Sequence, residues 1–226
     1  MALKINKSIR ATRVGGRRPL SAIKAVVFHF TANTGSGATA LGNARYFANG
    51  SDGRDASAHY VVDERDTVYE CVPPEVVAWA VGDGQSGKYG KVYGNYNTIS
   101  IEMVSHTDAN GTYYIPEATM RNAARLYQQL CKQIPSIQAA IRHYDISMKL
   151  CPLPLVDEKK WADFQKLLEE VDEVVTKAKM IVDGKEVEVE RILKDGTNYI
   201  KIRDIAKALD LEVSNKGNVA ILSHKQ

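Results

Sequence analysis

Apolar residues recur along this chain at two alternating spacings. Residues 25–30 (Ala-Val-Val-Phe-His-Phe) form a nearly unbroken apolar run of strand length, and 59–63, 67–72, 98–104 and 138–142 carry further strand patterns. The polar segment Asp63-Glu-Arg-Asp66 between the second and third of these predicts a hairpin. In 98–104 the two-residue period places Ile99, Ile101 and Met103 on one face and Ser100, Glu102 and Val104 on the other. Helical spacing marks 38–48, then a helix opened by Pro116 as its first residue, with Met120, Ala123, Ala124, Tyr127, Leu130 and Cys131 along one stripe. Cys131 is therefore read as a buried thiol rather than a ligand. Asp157 caps a further helix whose stripe is Trp161, Phe164, Leu168, Val171 and Val175. Strands alternating with helices predict an α/β fold, with a mixed central β-sheet flanked by helices.

Two stretches depart from this rhythm. Residues 82–97 hold five glycines and three tyrosines with no helical period, which fits either a plain flexible loop or a lip over a groove. From 180 onward, short alternating runs surround an Asp183-Gly184 turn, followed by a strand over 199–202, a helix over 203–210 and a strand over 217–222. These patterns predict a main domain over 1–175, a linker over 176–179 and a small α+β unit over 180–226. The last carries eight bases and eight acids, and its thin core would gain from docking or dimerising.

Composition narrows the function. With 226 residues, 44% hydrophobic and 25% charged, the chain reads as an ordinary globular protein. A net charge of +3 is too small to argue for nucleic acid. The charge is uneven, however: residues 1–24 contain Lys4, Lys7, Arg10, Arg13, Arg17, Arg18 and Lys24 and no acid. Such an arm suits an anionic surface, or is a solvated leader covering the domain. Cys71, Cys131 and Cys151 are odd in number and widely spaced, so they are expected as reduced thiols. No apolar stretch of signal-peptide length follows the basic N-terminus and no run approaches the roughly 20 residues of a membrane span. The expectation is synthesis in the cytoplasm without a signal peptide and no membrane insertion.

His29, His143 and Cys151 are the candidates for metal chemistry. Two imidazoles and a thiolate suit zinc (Zn2+) and leave a fourth tetrahedral position for water, as in a catalytic site. Glu102 is the odd member of an apolar strand, so it faces either solvent or a polar site where it could act as general base. Lys149, two residues before Cys151, could stabilise a developing oxyanion. Asp145 could accept the ring N–H of a ligating histidine, or serve a turn or cap. His59 is open to three roles: a second-layer partner, a substrate contact or a plain strand-end residue. It is also the one plausible fourth ligand for a structural zinc. His106 and His224 have no partner at ligand spacing.

Phe28-His29-Phe-Thr, Ala56-Ser-Ala-His-Tyr60 followed by Val-Val-Asp, Asn97-Thr-Ile-Ser-Ile-Glu102, and Arg142-His-Tyr-Asp with Lys149-Leu-Cys-Pro152 appear in order over about residues 20–170. Together they resemble the zinc N-acetylmuramoyl-L-alanine amidases, the amidase type 2 family that includes phage endolysins and peptidoglycan recognition proteins. The resemblance implies zinc on His29, His143 and Cys151, with Glu102 and Lys149 as catalytic residues. Some members carry a catalytic Tyr near the position of Ala58, which this chain lacks, and that places it with the Glu-using phage and bacillus-type enzymes. Members without the Cys151 ligand bind peptidoglycan without cutting it, so its presence favours catalysis. The implied function is cleavage of the amide bond between N-acetylmuramic acid and L-alanine in bacterial peptidoglycan, by a lysin that reaches the wall once the membrane is permeabilised. The substrate groove is expected between the Gly/Tyr-rich loop and the 38–48 helix. A non-catalytic recognition protein and a zinc endopeptidase acting within the stem peptide are the rival readings. Tyr199-Ile-Lys-Ile-Arg-Asp-Ile-Ala-Lys-Ala-Leu209 is similar to the copper amine oxidase N-terminal-like module of cell-wall proteins, which implies wall binding or self-association as a homo-oligomer.

Overall fold

The long apolar runs build the middle of a six-stranded sheet. Its strands are β1 (Lys4–Asn6), β3 (Ala25–Phe30), β4 (Tyr60–Val62), β5 (Thr67–Glu70), β7 (Thr98–Met103) and β10 (Ala139–Arg142), in spatial order β1-β5-β4-β7-β3-β10. The computed structural model describes residues 3–35, 37–169, 175–194, 197–217 and 219–224. By its contacts the chain divides into two compact units, Ala2–Glu170 and Val171–Gln226.

In the first unit β4, β7, β3 and β10 run parallel, and β5 turns back antiparallel on β4 as the hairpin pattern predicted. A parallel centre is covered on both faces, which is why its strands read as continuous apolar runs. One face carries Val26, Phe28, Ile99, Ile101 and Met103 into the main core. Two long helices close that face: α2 (Glu117–Gln133), through Ala123, Ala124, Leu126 and Leu130, and α4 (Glu158–Glu169), through Trp161, Phe164 and Leu168. The opposite face carries Ala25 and Val27, Val61 and Val104 into two smaller clusters, one of which includes α1 (Ala40–Ala48). The observed architecture is thus the expected α/β class.

Several details differ from expectation. Pro116 is the N-cap of α2 and not its first residue, and Cys131 is only half-buried beside that helix's stripe. Asp157 does cap α4, its side chain accepting from Lys160 N at 2.9 Å, but the helix ends at Glu169. Val171 lies outside the described residues, and Val175 opens a strand, as β-branched neighbours favour. The basic arm is a built-in part of the fold. Its β1 strand pairs with β5, and β2 (Val14–Arg17) pairs with β6 (Val76–Ala78). Arg10 and Lys7 meet Glu70, Arg13 meets Asp55 and Arg18 is buried, so the run of cations is matched by acids and carbonyls far along the chain. A short ribbon of β8 (His106–Thr107) and β9 (Tyr113–Tyr114) and the one-turn helix α3 (Tyr144–Ser147) complete the unit.

The second unit pairs β11 (Val175–Val182) with β12 (Lys185–Lys194), and β12 with β13 (Thr197–Ile200); α5 (Ile202–Ala208) and the hairpin β14 (Leu211–Lys216) to β15 (Val219–His224) follow. Asp183 (φ 49°) and Gly184 (φ 75°) both take left-handed backbone, the tight hairpin turn that Asp-Gly favours. Residues 176–179, expected as linker, lie within β11 opposite Glu188 to Arg191. Among the described residues, no helix is long and apolar enough to cross a membrane.

Candidate metal centre and groove

Three neighbouring parallel strands end together at one edge of the sheet, where α/β proteins commonly place their sites. The register sets His29 at the end of β3 directly beside Glu102 on β7. His143 follows β10, its N–H donating to Phe28 O at 3.3 Å, so its ring stands 4.7 Å from that of His29. The chain then makes the single turn of α3 and reverses through Met148 in left-handed backbone (φ 65°). Tyr144 N donates to Cys151 O at 2.8 Å, which closes the loop and carries the thiol back to the histidines. That closure brings together His143 and Cys151, eight positions apart in the chain. One ligand atom each from His29, His143 and Cys151 lies within 4.8 Å of the others, and all three residues are buried. His29 Nδ1 is 3.7 Å from Cys151 Sγ.

Asp145 does not touch the His143 ring. Its carboxylate accepts from Arg142 N (2.9 Å), Nε (3.1 Å) and Nη2 (2.8 Å), so it fixes the backbone that carries His143. The ring partner is Asp83, whose Oδ1 lies 2.6 Å from His143 Nε2 and whose Oδ2 lies 3.1 Å from Lys149 Nζ. Asp83 escaped sequence reading because an acid between two glycines carries no periodic signal. His59 is also removed from the centre. It is buried, with Nδ1 at 3.0 Å from Ser100 N and Nε2 within 3.1 Å of Val76 O and 2.8 Å of Arg18 Nη2. It is thus tied into the sheet and stands outside the group of candidate ligands. His106 pairs with Glu64 at 2.8 Å.

A groove of about 330 Å3 opens over the centre, with Glu102, Lys149 and the three buried residues on its floor. Asn43, Tyr46 and Phe47 of α1 form one wall, and Arg54, Ala56, Ser57, Thr31, Ala32, Trp79 and Ala80 line the rest. The α1 side of the expected groove is therefore present, whereas the Gly/Tyr-rich loop supplies no lining. Its Tyr89 and Tyr93 rings meet edge-on at 5.8 Å and pack against Val27, Val81, Ile141 and Ile146, because burying them there removes apolar surface from water. Trp79 is the aromatic that stands exposed at the groove.

The family model described as N-acetylmuramoyl-L-alanine amidase matches residues 19–154. The chain belongs to that amidase family. The matched segment contains His29, Glu102, His143, Lys149 and Cys151. Similar proteins include a probable N-acetylmuramoyl-L-alanine amidase of Bacillus licheniformis, 38% identical over 141 residues, which are 61% of this chain and 38% of the relative. The N-acetylmuramoyl-L-alanine amidase CwlL of the same organism is 30% identical over 198 residues, 84% of this chain and 53% of that protein. The chain thus spans about half or less of these relatives. Among solved structures, PlyL shares the fold with a TM-score of 0.54 at 23% identity, over 74% of this chain and 97% of that one. The PlyG catalytic domain gives 0.54 at 22% identity, over 75% and 94%.

The charge states of this amidase-family site follow from burial. Burial holds His29 well below its ordinary pKa, helped by His143 and Lys149, and burial likewise lowers His143 against the pull of Asp83. Both rings are therefore neutral and able to donate a lone pair. Burial pushes the Cys151 thiol up to about 12, with Glu102 adding to the effect. A thiol so placed ionises only if a cation compensates. Burial also pushes Glu102 up to about 8, against Lys149. Burial opposes ionisation of Asp83, but His143 and Lys149 outweigh it and hold that carboxyl below its ordinary value.

Proposed function

We propose that this chain is a peptidoglycan hydrolase that cuts the amide bond between N-acetylmuramic acid and L-alanine, with zinc held by His29, His143 and Cys151. The observation that carries the reading is the convergence of those three buried side chains beside Glu102 and Lys149 at the floor of one groove. The donor set fits a metal. His29 Nε2 and His143 Nδ1 are buried ring nitrogens without a hydrogen-bond partner, an arrangement that is costly unless something else occupies a lone pair. Two imidazoles and a thiolate are the ligands zinc favours. When bound, zinc would supply Lewis-acid activation of a water and of the scissile carbonyl.

The chain's own residues do the rest. Glu102 Oε2 is buried and unpartnered, and in its ionised form it can take a proton from the attacking water and return it to the departing L-alanine nitrogen. Lys149 Nζ, steadied by Asp83, offers positive charge to the carbonyl oxygen as it becomes anionic. The wall formed by α1 and the Trp79 face give the peptide stem an apolar seat with polar groups at intervals. Action on the wall after membrane opening, as by a phage lysin, and a wall-binding or self-association role for residues 180–226 complete the reading.

Digestion of purified peptidoglycan, followed by mass spectrometry and free-amine counting, tests it. New N-terminal L-alanine on peptides released from intact glycan is the expected result. Cys151→Ala should lose zinc and activity together, whereas Glu102→Ala should retain zinc and lose about 10²–10⁴ in turnover. Products cut within the stem peptide would assign an endopeptidase, binding without new amines would assign a recognition protein, and full activity in either variant would remove the site assignment.

A further inference from the structure

We infer that Asp83 is a positioning residue that sets the His143 ring and the Lys149 ammonium with a single carboxylate. Its two oxygens are divided between them, Oδ1 at 2.6 Å from His143 Nε2 and Oδ2 at 3.1 Å from Lys149 Nζ. An acceptor at Nε2 places the ring proton there and leaves the lone pair on Nδ1. Nδ1 is the nitrogen that is buried without a hydrogen-bond partner, and the residue's ligand atom lies within 4.8 Å of those of His29 and Cys151. Asp83 therefore selects the tautomer and ring orientation that make His143 a ligand. Lys149 stands on a non-helical stretch with its side chain 58% exposed, where a long aliphatic stem samples many rotamers. The second oxygen of Asp83 restricts that freedom.

The loop that carries Asp83 is built to hold it there. Gly87 N donates to Ile146 O and Tyr89 N to Asp145 O, each at 2.8 Å, so the loop is laced to α3, which lies between His143 and Lys149. A Cβ at Gly87 would stand 2.4 Å from Asp145 O, so this close approach requires glycine. On the other side, Asn95 Oδ1 accepts from Ala80 N (2.9 Å) and Val81 N (2.8 Å). An isolated exposed Asp-Lys pair would be worth little. Here the same carboxylate also holds a buried ring, and the two functions can be separated.

Separation comes from comparing Asp83→Ala with Asp83→Asn in the full chain. In metal-free protein, nitrogen-15 NMR of His143 should show the Nε2–H tautomer for wild type and Asp83→Asn, whose amide oxygen still accepts, and a tautomer mixture for Asp83→Ala. Zinc affinity by chelator competition should fall about 10–100-fold in Asp83→Ala and stay within a few-fold of wild type in Asp83→Asn. At saturating zinc, Asp83→Asn should lower kcat with KM unchanged, because its amide NH2 faces the ammonium. Wild-type zinc affinity and an unchanged tautomer in Asp83→Ala overturn the inference, as does an unaltered kcat in Asp83→Asn. The first two readouts need no substrate, so they stand apart from the hydrolytic reading, whose failure would appear as wild-type protein without turnover. Asp83 is 39% exposed, so both variants should fold, which thermal unfolding checks.

Discussion

Arg142 precedes the metal-ligand candidate His143 and is itself almost completely buried. Its guanidinium is shared between Asp145, Glu158 and the carbonyls of Leu155 and Val156, and lies 5.3 Å from the Trp161 ring centroid. Removing one partner of a buried ion pair leaves the other charge uncompensated. Arg142→Met should therefore destabilise the protein by about 3–5 kcal/mol in urea unfolding. The double variant with Asp145→Asn should recover part of that loss, because both charges leave together. At this scale the sequence was informative where residue type broke the pattern: His29 ends an apolar strand, Glu102 interrupts one, and Cys151 follows a lysine at short spacing. It was uninformative for Asp83, and for Asp145 it left a ring-accepting role and a turn or cap role both open. Spacing alone cannot tell whether a carboxylate two residues from a histidine meets the imidazole or a neighbouring guanidinium.

Elements place these residues through register and packing. Because His29 stands opposite Glu102 across β3 and β7, any slip of one residue would turn one of them into the core. The apolar face behind them holds that register. Phe28 meets the Phe164 ring edge-on at 5.0 Å, and Trp161 and Tyr127 lie at 6.1 Å, so α4 and α2 press on the strand that carries His29. Phe164→Ala should cost about 3–5 kcal/mol of stability by denaturant midpoint, with a cavity left against β3. Element type was legible in most of the first unit, where helical and strand periods differ clearly. The short strands β1, β2 and β6 were not. Their residues have no strong alternation: β1 becomes a strand because the β5 edge of the sheet offers it a partner, and β2 and β6 because they pair with each other.

At the scale of the whole molecule, acid stability should report the buried His59. Burial and the adjacent Arg18 lower its pKa to about 3, so the folded state keeps it neutral while the unfolded ring titrates near 6.5. Between those values the unfolded chain binds the extra proton. The His59 contribution is complete above about pH 6.5 and is lost by about 1.4 kcal/mol for each unit of acidification down to about pH 3. Glu102 pulls the other way in metal-free protein. Its raised pKa favours folding below about 4.5, and that contribution is lost as pH rises through about 8. The test is therefore the difference between wild type and His59→Gln: pH-dependent chemical denaturation should show the acid slope of the wild type reduced in the variant. An identical slope in both would remove His59 from the acid limb.

The chain by itself determined which segments are strands and helices in the centre of the first unit, and which residue types could hold a metal, because periodicity and side-chain chemistry are local properties. Tertiary structure alone decided that β7, β3 and β10 end side by side, that Asp83 and not Asp145 meets His143, and that the glycine-rich loop packs Tyr89 and Tyr93 inward. Those outcomes depend on contacts between residues tens of positions apart, whose closure is set by competition among many packings rather than by any neighbouring pattern.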